Sequence, residues 1–259
     1  MSNETNPPKP IDDDHWEIYV TYVDDNPAVI LVDIGIANAV PLPGLSKLVW
    51  VWVHIRERDE DGFPTEEEDF RLNEVEDLVT ECFTELNIRY VGRITTDGRR
   101  EFYFYTDDFE RFQTLATAAM QSAPEYRFDI DEAEDAEWTH YSTVLYPAAE
   151  DFQQIHNQNV ITRLMQEGDS LSEPRPVDHF ANFKTETDRE TFVAAAAELG
   201  FEAVSRPEVQ GEAEFPYSVG LLRVDSVDPE TIDAVTFELF ELAEQHHGEY
   251  DGWTSPVVK

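Results

Sequence analysis

Two stretches of this chain run through the same order of hydrophobic periodicities. From Lys47 to Ile130, and again from Val177 to Val258, the pattern reads strand, helix, strand, strand, helix, strand. Period two and period 3.6 cannot be exchanged without turning apolar side chains into water. The order predicts an α+β fold built twice. In each copy a βαββαβ unit forms a ferredoxin-like antiparallel sheet with both helices on one face. Trp16 to Val23 and Ala28 to Ile36, joined at Asp24-Asp25-Asn26-Pro27, read as an extra hairpin before the first copy.

Local signals support these elements. Lys47 to Ile55 (KLVWVWVHI) is apolar on both faces and reads as a central strand. Leu72, Val75, Leu78, Val79, Cys82, Phe83 and Leu86 form one helical stripe, which places Cys82 in a core. Arg89 to Thr95 and Glu101 to Tyr105, joined around Asp97-Gly98, form the strongest hairpin signal in the chain. Asp107 or Asp108 caps the next helix. Tyr126 to Ile130 and Trp138 to Leu145 read as strands, and the acidic run Asp129 to Glu137 as a solvated loop. Residues 150 to 166 read as a connector helix. Thr187 is the expected cap of the helix 188–199, with Gly200 at its C′ position. Phe201 to Arg206 and Tyr217 to Asp225 are expected strands. Asp228-Pro229 starts the last helix, and Tyr250 to Val258 ends the chain as a strand.

This gives a disordered leader over 1–14, a first domain over 15–147, a connector over 148–168 and a second domain over 169–259. The leader has no apolar signal-peptide region, and no stretch reaches the ~18 to 20 apolar residues of a membrane span. Cys82 is the one cysteine, so no intrachain disulfide forms. These features point to the cytoplasm of a bacterium-like cell.

Charge narrows the partners. There are 56 acidic residues against 18 basic ones, a formal net charge of −38. Nucleic acid and anionic membranes are repelled by such a surface, and basic proteins are steered towards it. Solubility, or adaptation to a salty cytoplasm, is the bland alternative. Only four of the basic residues are Lys, which is compatible with it.

A search for chemistry returns little. Phosphate-binding glycine loops and the nucleophile elbow are absent. The acidic run lacks the turn glycine of a calcium loop, and Ala133 sits where a ligand belongs. His246-His247 has no zinc-site spacing. No catalytic residue, metal site or cofactor is therefore expected. Two surfaces remain. On the last helix, Phe237 lies opposite the apolar face and Phe240 on its flank. At the C-terminus, Tyr250-Asp251-Gly252-Trp253 combines interface-type aromatics with a glycine that marks a bulge or close backbone approach. A weaker candidate is an anion pocket made by Arg93, Arg100, Tyr103 and Tyr105 on the central hairpin. Cross-strand pairing with acidic neighbours is the competing account there.

The stretches Gly168 to Phe180 (GDSLSEPRPVDHF), Leu199-Gly200-Phe201 and Gly248 to Trp253 (GEYDGW) resemble the regulator of ribonuclease E activity B family. The resemblance covers about the last 95 residues of the chain. It implies a βαββαβ fold and an acidic protein without catalytic residues. It further implies inhibition of ribonuclease E by binding the enzyme and altering its degradosome assembly. That regulator usually stands alone, whereas here it follows another domain. The first 147 residues resemble the bacterial domain-of-unknown-function family 695, through Trp16 to Asp33, Tyr90 to Thr95, Arg100 to Tyr105 and Leu145-Tyr146-Pro147. The expected function is a non-enzymatic, protein-binding regulator of a basic, ribonuclease E-like partner. The alternatives are an enzyme or small-anion binder in the first half, and an acidic decoy that mimics nucleic acid.

Overall fold

A computed structural model of the chain describes residues 15–83, 86–204 and 214–259. The expected leader over 1–14 lies outside the described residues, as do Ser205 and Arg206 at the end of one expected strand. The chain divides into two compact units, Met1–Ala148 and Ala149–Lys259.

In the first unit, β1 (Trp16–Val23) and β2 (Asn26–Asp33) form the hairpin, turning at Asp24 and Asp25 with φ of 51° and 64°. Then come β3 (Lys47–His54), α1 (Glu66–Glu81), β4 (Ile88–Thr96), β5 (Arg99–Thr106), α2 (Phe109–Met120) and β6 (Phe128–Glu134). They make one six-stranded sheet in the order β1-β2-β4-β5-β3-β6, antiparallel at every pairing. Alternation sorts the side chains. Val49, Val51, Val53, Phe102 and Phe104 face the helices and pack on Leu72, Val75, Val79 and Phe112. Thr65 caps α1 and Asp108 caps α2.

Three expectations need correction here. The stripe through Leu86 is not one helix, because α1 ends at Glu81 and Cys82 is its C-cap. Cys82 is half-buried, donates to the Val79 carbonyl at 2.9 Å, and has its thiol pushed up to about 11 by burial. Trp138 to Leu145 is not a strand. The Asp135 carboxylate accepts from the backbone N–H groups of Thr139 (2.7 Å) and His140 (2.9 Å), which winds the chain into a turn and a single π-helical turn, Tyr141–Leu145. Trp138, at φ 57°, then stacks on Tyr105 with centroids 3.8 Å apart. The aromatic alternation there serves a wrapped turn instead of a pleat. The acidic run is not all loop either, since Asp129 to Glu134 lies in β6 at the sheet edge.

The second unit contains α3 (Ala149–Gln166), β7 (Arg175–Phe183), α4 (Glu186–Glu198), β8 (Glu202–Val204), β9 (Tyr217–Asp225), α5 (Pro229–Gln245) and β10 (Gly248–Thr254). Its four-stranded antiparallel sheet has the order β10-β7-β9-β8. Helix α3, expected as a connector, packs on α5 and β10 within this unit. Thr185, two residues before the expected Thr187, caps α4, because its Oγ reaches the Asp188 N–H. Asp228 caps α5 and Gly200, at φ 87°, follows α4. Among the described residues no helix is long and apolar enough to cross a membrane, and no group of His, Cys, Asp and Glu could hold a metal ion.

Candidate functional site

The C-terminal Tyr-Asp-Gly-Trp segment lies on β10, where a bulge falls between Tyr250 and Trp253. Tyr250 pairs with Ala181 and Trp253 with His179, two residues that share one face of β7. Without the extra residue, positions 250 and 253 would point to opposite faces. With it, both aromatics point inwards. Gly252 makes this possible at φ 92°, beneath the His156 ring of α3, where a Cβ would stand 2.7 Å from Nε2.

Trp253 is 2% exposed and packs among Ile161, Leu164, Leu171, Val177, Val227 and Ile232. It is therefore not a surface anchor for a partner. Its Nε1–H donates to Asn157 Oδ1 at 2.9 Å. Asn157, fully buried, also accepts from Gln153 (2.9 Å) and donates to Asp233 (2.8 Å) and Thr236 (2.6 Å). All four of its hydrogen-bonding positions are filled, which ties α3, α5 and β10 together. Tyr250 donates to or accepts from His179 Nδ1 at 2.7 Å. Burial holds His179 down at about 4, so the ring is neutral. Asp251 is exposed. A second clamp joins Asp169 and Arg175, both buried, to the C-terminal tail through the Val258 N–H (2.7 Å) and the Pro256 carbonyl (3.3 Å).

Phe237 and Phe240 on α5 are each half-buried. The exposed residues around Phe237 are Glu230, Ala234, Glu238, Glu241 and Glu244, so this aromatic sits within a carboxylate stripe.

The four residues of the expected anion pocket do not converge. Arg93 and Arg100 lie on the helix face of the sheet, while Tyr103 and Tyr105 point away from it. Register explains this, since Thr95 pairs with Arg100 and the parity of β5 alternates from there. Both arginines are already paired from α1. Arg93 meets Glu76 and Asn73, and Arg100 meets Asp69 (2.5 Å), Asn73 (2.9 Å) and Thr95 (2.9 Å). The competing carboxylates thus come from a helix instead of a neighbouring strand.

On the opposite face, Tyr103 donates to Glu101, Tyr105 donates to Asp135 (2.7 Å), and His140 lies 4.5 Å from the Tyr103 ring. Trp50 and Trp52 share this face beside Arg99. His140 Nε2 and Trp52 Nε1 are buried there with no hydrogen-bond partner among the described residues. Sequence reasoning missed this aromatic face and the His179 and Asn157 networks. The inward alternation of Val177, His179, Ala181 and Phe183 was a usable signal for His179.

The model of DUF695, a family of unknown function, matches residues 14–146. The chain belongs to this family. In this DUF695 protein a further model, regulator of ribonuclease activity B, matches residues 154–255. Among curated proteins there is no match. Two solved structures, an unknown protein from Galdieria sulphuraria and a protein provisionally assigned as a glycine cleavage system transcriptional repressor, are each 11% identical and cover 82% of this chain. The alignments span 99% and 98% of those chains, with TM-scores of 0.23 and 0.22, too low to carry an argument.

Proposed function

We propose that this chain is a non-enzymatic regulator that binds a basic RNA-processing enzyme of the ribonuclease E type. The observation that carries this reading is the match of residues 154–255 to the regulator of ribonuclease activity B. The net charge of −38 supports a basic partner. Strand orders β4-β5-β3-β6 and β10-β7-β9-β8 support a ferredoxin-like plan for each unit.

The partner-facing surface is α5. Phe237 supplies an aromatic contact, Phe240 flanks it, and Glu238, Glu241 and Glu244 supply charge. Tyr250, Gly252 and Trp253 hold α5 and α3 in place from beneath. The test is RNA cleavage by a purified ribonuclease E-like enzyme with and without saturating full-length protein. Inhibition that Phe237→Ala abolishes while the fold persists supports the proposal. Unchanged cleavage, with no basic nuclease recovered from native lysate at low or moderate salt, refutes it.

A further inference from the structure

The outer face of the first sheet already holds one arginine in a defined way. Arg99 donates through Nε to Glu101, and its NH1 lies 3.7 Å from the Asp97 carboxylate. Its guanidinium carbon stands 5.3 Å from the centroid of the Trp52 ring. An indole face and a carboxylate together take a planar cation, by attraction to the ring quadrupole and by charge.

Two residues back along β3, the same face repeats the parts. Trp50 pairs in register with Tyr103 on β5 and with Asp131 on β6. Its ring is half-buried and lies 6.2 Å from that of Tyr103. Asp131 is exposed, and among the described residues no basic side chain pairs with it. Its Oδ1 accepts from the backbone N–H of the adjacent Glu132. Asp129, beside Trp52, lies 3.9 Å from the His54 ring. The second rung therefore has an indole and a carboxylate, the latter from β6 instead of β5, and among the described residues no guanidinium pairs with that carboxylate.

We propose that the Trp50–Asp131 rung receives an arginine from a basic segment of a partner protein, as the Trp52–Glu101 rung receives Arg99. Charge complementarity selects this occupant. The face carries Glu101, Asp129 and Asp131 on a chain of net charge −38, so it repels nucleic acid and anionic small molecules. A lysine fits less well, because its compact ammonium is strongly hydrated and has no plane to lay on the indole. The inference shares with the regulator reading a basic partner and nothing more. It lies in the first unit and does not depend on the target of the second.

The test uses the full-length protein labelled with 5-fluorotryptophan and a glycine–arginine repeat peptide at about 150 mM salt, where diffuse attraction is screened beyond a Debye length. Matched peptides carry lysine or citrulline in place of arginine. The arginine peptide is expected to shift the Trp50 fluorine resonance. The lysine peptide should bind several-fold more weakly and the citrulline peptide not measurably. Trp50→Ala and Asp131→Asn should each weaken binding by about fivefold, the size of one cation–π or exposed charge contact. Asp131→Asn alters an exposed edge residue, and the peptide series needs no variant, so a misfolded Trp50→Ala leaves the test intact. Equal binding of arginine and lysine peptides, no binding of either, or an affinity kept within twofold by Asp131→Asn overturns the proposal. The peptide is read at the Trp50 resonance in the first unit and the regulator reading by RNA cleavage, so the failure of one leaves the other standing.

Discussion

Replacing Gly252 with alanine tests whether the bulge in β10 holds the second unit together. At φ 92° an L-residue carries strain, about 1–2 kcal/mol for the left-handed conformation. The new Cβ would also stand 2.7 Å from His156 Nε2 and 3.2 Å from Cδ2. Those atoms end a rotatable side chain, so the clash is relieved by moving the ring at smaller cost. Lower chain entropy in the unfolded state returns about 0.4–1 kcal/mol. The net expectation is a loss of about 1–2 kcal/mol. With a urea slope of about 1–3 kcal/mol/M, the midpoint falls by about 1 M. Of the five tryptophans only Trp253 lies in the second unit, so its fluorine signal reports that unit alone. The Trp253 midpoint should fall while the Trp138 midpoint stays. Combining Gly252→Ala with His156→Ala should recover the steric part and leave the backbone part. A Trp253 midpoint that is unchanged or raised in Gly252→Ala would falsify the account of the bulge.

Trp253→Phe leaves Asn157 Oδ1 with one donor fewer inside a buried network and should cost about 1–3 kcal/mol, read by urea unfolding followed by far-ultraviolet circular dichroism, since the variant lacks the tryptophan of the second unit. His179 has a folded value near 4 against an unfolded value near 6.5. Its unfolded form binds more protons between those limits, so the second unit should lose stability as pH falls through that window, and His179→Gln should flatten the slope. Asp169 behaves as a carboxylate held at about 2, chiefly by Arg175. Its contribution is complete above the unfolded carboxylate value near 4 and is lost as pH falls towards 2. Acid titration of Asp169→Asn should therefore show a shallower slope over that lower range. Arg100→Met should destabilise the first unit by about 1–3 kcal/mol, read by urea unfolding, since Arg100 is 2% exposed and its loss takes one donor each from Asp69, Asn73 and Thr95, while Asp69 keeps the Asn73 amide and Asn73 keeps Arg93.

The two candidate sites changed for different reasons. In the second unit the sequence reads Tyr-Asp-Gly-Trp as interface aromatics around a glycine that marks a bulge or a close backbone approach; the bulge is present, and Trp253 is interior. The direction of the aromatics was not in the pattern. Residues three apart on a strand face opposite ways unless the register slips, and the slip depends on how β10 meets β7. In the first unit the scarcity of arginine drew attention to the hairpin. Arg93 and Arg100 proved to serve α1, whose Asp69, Asn73 and Glu76 stand one turn apart on a single face. That correspondence joins residues about twenty to thirty positions apart and is invisible to local periodicity.

By itself, the sequence determined which segments alternate and which turn every 3.6 residues, and with that the strand–helix order of both units. It set the capping of α2 and α5 and the Asp97-Gly98 hairpin, because these depend on neighbours in the chain. It also set the net charge of −38. Only the tertiary structure decided that Trp253 is interior, that Asp129 to Glu134 is an edge strand, and that Trp138 to Leu145 is a turn held by Asp135. It likewise decided that Trp50 and Asp131 are register partners across β3 and β6. Each of these rests on strand register or on a side chain distant in sequence. Alternation constrains a residue to one of two faces, and packing chooses which face is buried.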